Sequence, residues 1–184
     1  TVLLSACCQQ PPIMVEPDAA SETNATKRNE TPVVFSQPHL VTTIRLTGGA
    51  ISLSFTPEST RLVVGSGDDT DEDAVVALYS TVDWQLERQI AFDESLSCIC
   101  VSPDNRLIGA CGFLGIAKIL DAATGDEVAN VSMKGPLTRS IGFSADSRPV
   151  AVSGTNSVTI WDVATEEKIK DWIVSPQGIV NAVA

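Results

Sequence analysis

The sequence predicts an all-β protein, a partial β-propeller of about three four-stranded antiparallel blades. An orphan N-terminal strand precedes these blades and the start of a further blade follows them. Three observations carry this expectation. The segments ISLSFTPESTRLVVGSG, LSCICVSPDNRLIGACG and TRSIGFSADSRPVAVSG align. Each is an alternating run, a turn of Ser/Thr, Pro or Ala and an acidic residue, then a second apolar run, which is the signature of a β-hairpin. The second half of the unit recurs too: Tyr79, Leu120 and Trp161 stand at a step of 41 residues, and so do Ile90, Val131 and Trp172. Four short strands within roughly 42 residues, repeated, are the blade of a propeller.

In chain order, residues 1–8 come first. Leu4-Ser5-Ala6-Cys7 resembles the bacterial lipobox, in which small residues let a peptidase reach the backbone ahead of a lipid-modified cysteine. The resemblance implies a remnant of a lipoprotein signal peptide, with Cys7 as the lipidated residue and first residue of the mature chain. Residues 9–32, rich in Gln, Pro, Ser, Thr and Glu without an apolar period, read as a disordered polar tether that buries too little surface to offset its ordering entropy. Residues 33–184 form the propeller. HLVTTIRLTGG is the orphan outer strand, the units span about 49–90, 95–131 and 137–173, and 178–184 begins the next. In the turns, Pro57 and Pro103 preset φ, and Asp104 and Asp146 can bond their own backbone. With an apolar stub at one end and IVNAVA stopping short of the next anchor, the chain reads as a fragment whose open blade edges invite self-association.

SVTIWDVATEEKI resembles the end of a WD repeat, with Trp161-Asp162 as the namesake dipeptide, and VSPDNRL resembles the turn F-S-P-D-G-R of many bacterial members. The likeness covers roughly residues 40–184. It departs from the family in lacking the Gly-His dipeptide, in filling the Trp position only at Trp161, and in placing Asn156 at the usual turn Asp. The family's buried His–Ser/Thr–Asp–Trp network therefore cannot be assembled, and apolar packing between blades has to supply the stability. The resemblance implies a non-catalytic protein-interaction scaffold without cofactors, here lipid-anchored in the cell envelope. The alternatives are an intracellular scaffold, or a propeller enzyme or ligand binder whose site lies in further blades.

The totals exclude other classes. Hydrophobic content of 43% rules out wholesale disorder. A net charge of −11 without a basic cluster leaves no footprint for nucleic acid. The single histidine, His39, and five cysteines with no CxxC argue against structural zinc and against a nucleophile–base pair. Cys98, Cys100 and Cys111 read as small buried strand residues, with a disulfide between strands as the alternative. Trp84 and Trp172 read as blade packing. The first unit carries a surplus, GDDTDEDA, between its second and third strands. Asp68, Asp69, Asp71, Glu72 and Asp73 thus share one loop, read as a solvated acidic loop or as a docking patch for a basic partner. Asp69, Asp71 and Asp73 have the alternate spacing that opens a calcium loop, but Ala74 stands at the turn-glycine position and Ser80 at the closing glutamate.

Overall fold

The computed structural model describes residues 40–46, 48–67, 74–133, 137–174 and 180–183. Among them there are twelve strands and no helix. The first sheet runs β1 (Gly49–Phe55), β2 (Arg61–Gly67), β3 (Val75–Ser80) and β4 (Leu86–Ala91) in consecutive order. The second holds β5 (Leu96–Val101), β6 (Leu107–Gly112), β7 (Ala117–Asp121) and β8 (Glu127–Asn130). The third holds β9 (Ser140–Phe143), β10 (Pro149–Ser153), β11 (Ser157–Asp162) and β12 (Glu167–Ile173). All pairings are antiparallel. Strands β1, β5 and β9 lie side by side. Ile99 N donates to Ser52 Oγ at 3.1 Å, and Ser97 Oγ donates to the carbonyl of Thr138 at 2.8 Å.

Strand alternation builds the core between sheets rather than within one. Val63, Val76 and Leu78 of the first sheet meet Ile99, Ile108 and Leu120 of the second. The opposite face of the second sheet offers Cys98, Cys100, Cys111 and Ile119 to Ile141, Val150 and Val152 of the third. The three cysteines are thus buried strand residues, with Cys98 and Cys111 facing each other across the β5–β6 ladder. A single slip of one residue would turn either apolar row toward the wrong neighbour.

The three hairpin turns are built alike. Thr56, Ser102 and Ser144 each donate N–H to the carbonyl five residues on, at 3.0, 2.9 and 2.9 Å. Ser59, Asn105 and Ser147 take φ of 57°, 62° and 61° in the left-handed region, where a short polar side chain is tolerated. Asp104 accepts from the Arg106 N–H and Asp146 from the Arg148 N–H, at 3.1 and 3.3 Å.

These carboxylates predict an acid limb in stability. Asp121 is held below the usual carboxylate range by the N–H groups of Thr124 and Ala123, and Asp146 by the Ser144 hydroxyl and the Arg148 N–H. Partial burial opposes ionisation of Asp104, but bonds from Ser102, Arg106 and Ser147 outweigh it, and its pKa too is lowered. A folded pKa below the unfolded one contributes stability that is complete above the unfolded value and lost as pH falls through the folded one. The melting temperature is therefore expected to be flat from pH 7 to about 5 and to fall below about 4. An Asp121→Asn, Asp146→Asn chain should show a shallower acid limb in the same thermal melts.

Residues 40–46, expected as an outer strand, form no strand hydrogen bonds. An outer strand without a neighbouring ladder has nothing to pair with. The segment instead lies as a strap on the outward face of the first sheet, where Ile44 and Leu46 pack on Val64, Ala77 and Tyr79. At the other end, Val183 N donates to Ser140 Oγ at 3.3 Å, so residues 180–183 run beside β9.

Candidate protein-interaction face

The β6–β7 connection, Phe113 to Ile116, is tied from both sides. Phe113 N donates to the Ser95 carbonyl at 3.1 Å, and Leu137 N donates to the Phe113 carbonyl at 2.7 Å. Met133 N reaches the Gly115 carbonyl at 3.0 Å, and Gly112 N closes on the Ile116 carbonyl at 2.9 Å. Gly115 takes φ of 96°, a conformation that costs glycine little and other residues more. This loop therefore joins the connections that precede and follow the second sheet.

Its central fixture is Glu94, 2% exposed, in the β4–β5 connection. Its two carboxylate oxygens accept separately: Oε2 from Leu114 N at 2.7 Å and Oε1 from Ile116 N at 3.0 Å. A carboxylate buried this way needs such charge-assisted donors to offset its lost hydration. Gly112 makes room for it, since a Cβ there would meet Glu94 Oε1 at 2.4 Å. At the corresponding place before the third sheet the thioether of Met133 occupies the space, 3.1 Å from a Cβ on Gly154.

The anchored loop pushes two apolar side chains into solvent, Phe113 at 40% and Leu114 at 69% exposure. Held main chain with exposed apolar tips is the form of a recognition loop positioned by a scaffold. Sequence reasoning passed over Glu94, Phe113 and Leu114. The available signal was an acidic residue, FDES, in a short connection between two strands, which says nothing of the donors that reach it from 20 and 22 residues downstream.

The residues singled out from sequence fall elsewhere. Cys7 and His39 lie outside the described residues, as does the acidic loop with Asp68, Asp69, Asp71, Glu72 and Asp73, and with it the calcium spacing of Asp69, Asp71 and Asp73. In the sequence that segment joins β2 to β3, the connection in the first sheet that corresponds to the β6–β7 connection, Phe113–Ile116, in the second. Asp162 caps the β11–β12 turn: its Oδ1 accepts from Ala164 N and Thr165 N at 2.9 and 3.2 Å, and its Oδ2 pairs with Arg148 Nε at 3.2 Å. Asp121 does the same for Ala123 and Thr124, both at 2.8 Å. Trp161 lines a cleft of about 400 Å³ with Ser132, Met133, Ser157, Thr159, Lys168 and Asp171. Its Nε1–H is buried, with no hydrogen-bond partner among the described residues.

No protein-family model and no curated protein sequence matches the chain. Solved structures do match. U3-55K aligns with a TM-score of 0.68 at 14% identity, over 76% of this chain and 43% of its own. The WD40 repeats of RRP9 align with a TM-score of 0.67 at 14% identity, over 76% of this chain and 42% of their own. The chain thus spans less than half the length of either structure. With three antiparallel four-stranded sheets in sequence order, the described residues have the fold of part of a β-propeller, similar to that of these WD40-repeat structures.

Proposed function

We propose that the protein is a non-catalytic interaction scaffold whose working surface is the end of the sheets that carries Phe113 and Leu114. The observation that supports this most directly is the anchoring of that loop by Glu94: a buried carboxyl group is committed to holding two apolar side chains in water. The acidic loop of residues 68–73 belongs to the equivalent connection of the first sheet, and a basic partner is its natural complement. We further propose that the scaffold is of the bacterial lipoprotein type, extracytoplasmic and held at the membrane through acylated Cys7. Two anchoring signals or several acyl chains are needed for stable attachment, because one chain binds only marginally.

Two measurements test these statements separately. A photo-crosslinking amino acid at Phe113, installed in producing cells, is expected to give a discrete adduct that is lost on Leu114→Asp. The same residue at Asp126, on a strand turn at the other end, should give none. Identical adducts from both positions would remove the assignment of this face. Radiolabelled palmitate is expected to enter the chain and to disappear in Cys7→Ser. Equal labelling of the two would move the lipid to a residue other than Cys7, and none in either would place the protein off the lipid.

A further inference from the structure

The two interfaces between neighbouring sheets fill the same outer space differently. Phe92 N donates to the Ala74 carbonyl at 2.8 Å and Met133 N to the Gly115 carbonyl at 3.0 Å, which makes Met133 the repeat counterpart of Phe92. Phe92 is 5% exposed and belongs to the core between the first and second sheets. Beside it Lys118 reaches both Asp93 and Glu127, the latter at 2.9 Å. By ladder register, Ile116, Lys118 and Leu120 correspond to Ser157, Thr159 and Trp161, and Asn130 to Asp171. The second interface therefore has a thioether where the first has a ring, and a short hydroxyl where the first has a long ammonium. The space given up is the cleft of about 400 Å³ lined by Trp161, within the range of sites that hold small molecules. It lies on the face of the third sheet that packs against the second.

Its lining combines apolar carbon with closely set hydrogen-bonding groups. Nε1 of Trp161 is buried, so the indole presents ring carbon to the cleft, and Met133 adds its thioether. Thr159 Oγ1 donates to Asp171 Oδ1 at 3.5 Å, and Lys168 Nζ donates to Asp171 Oδ2 at 3.0 Å. Hydroxyl, carboxylate and ammonium thus stand in one row, with the Ser157 hydroxyl near by on the same lining. The ammonium and the carboxylate cancel, so the cleft carries no net charge that would select an anion or a cation. Both are about half-exposed, and an exposed ion pair holds its partners weakly enough to exchange them for a ligand. Apolar carbon beside alternating donors and acceptors complements a sugar ring, whose C–H faces are apolar and whose hydroxyls both donate and accept.

We propose that this cleft binds a neutral saccharide unit, one pyranose ring packed against Trp161 and Met133 with its hydroxyls bonded to Asp171, Lys168 and Ser157. A charged molecule finds no counter-charge there that is not already paired. A purely apolar one leaves the carboxylate and hydroxyls without water and without a partner, which costs more than its burial gains. The proposal stands apart from the face at Phe113 and Leu114, since it requires no protein partner.

The test is saturation-transfer NMR of the whole 184-residue chain with the methyl glycosides of glucose, galactose and N-acetylglucosamine. Transfer to the ring protons of at least one glycoside is expected, with little to cyclohexanol or hexanoate. Three variants copy what the repeat already carries at the equivalent place. Met133→Phe, after Phe92, fills the cleft and should abolish the signal. Trp161→Leu, after Leu120, should weaken binding about tenfold. Asp171→Asn, after Asn130, removes a charged acceptor and leaves Lys168 uncompensated, for a loss of about three- to tenfold. Circular dichroism melts check that each variant is folded, and should one fail, the other two decide. No transfer to any of the three glycosides, equal transfer to cyclohexanol, or a glycoside signal indifferent to the folded variants overturns the proposal.

Discussion

Replacing Glu94 by alanine is expected to cost about 3 kcal/mol of stability, because it strips acceptors from two N–H groups that lose more when left unpaired than a net hydrogen bond gains. For a chain of this size that corresponds to a fall in melting temperature of roughly 10 °C. The sign is not obvious in advance, since removing a buried carboxylate also removes its desolvation penalty. The geometry decides it: the donors at 2.7 and 3.0 Å are backbone groups of a loop fixed at both ends, and they cannot turn away to find water. Glu94→Gln separates charge from shape. Its amide oxygen still accepts from Leu114 or Ile116, but its NH₂ then faces the other N–H, so about half the loss should remain. Chymotrypsin supplies an independent readout. Cleavage after Phe113 should accelerate in Glu94→Ala well below the melting temperature, because the loop opens locally before the sheets do. Unchanged cleavage and melting in Glu94→Ala would mean that the Ser95, Met133 and Leu137 bonds suffice to hold the loop.

The sheets were legible in the sequence because their information is periodic and local. Tyr79, Leu120 and Trp161 sit in β3, β7 and β11, and Asp104 and Asp146 bond the backbone two residues on, as short polar turn residues do. Register was less secure. Aligning the segments by eye sets Arg61 beside Arg106 and Arg148, whereas the turn bonds of Thr56, Ser102 and Ser144 pair Arg61 with Leu107 and Pro149. These bonds set Phe55 with Val101 and Phe143, and with that spacing Leu62, not Val63, corresponds to Ile108 and Val150. Residues 40–46 alternate as a strand does, but a strand needs a second backbone to pair with, and none pairs with them among the described residues. Least legible was Glu94. Its role is fixed by Gly112, Leu114 and Ile116, which the fold brings to it from the far end of another hairpin, and no spacing rule encodes that meeting.

Ile119 and Ile160 offer the sharpest contrast the repeat allows, for they hold the same place in β7 and β11. Ile119 is completely buried against Ile141, Val150 and Val152. Ile119→Ala should therefore cost about 3 kcal/mol, the transfer free energy of the lost carbons plus the cavity they leave. Ile160 presents the same side chain on the forward face of the third sheet, where it is only half-buried. Ile160→Ala should cost about 1 kcal/mol or less in dilute solution, since no second sheet encloses the gap. Denaturant melts of both variants measure this contrast directly. Equal costs would contradict the difference in burial, since they require Ile160 to be enclosed as fully as Ile119.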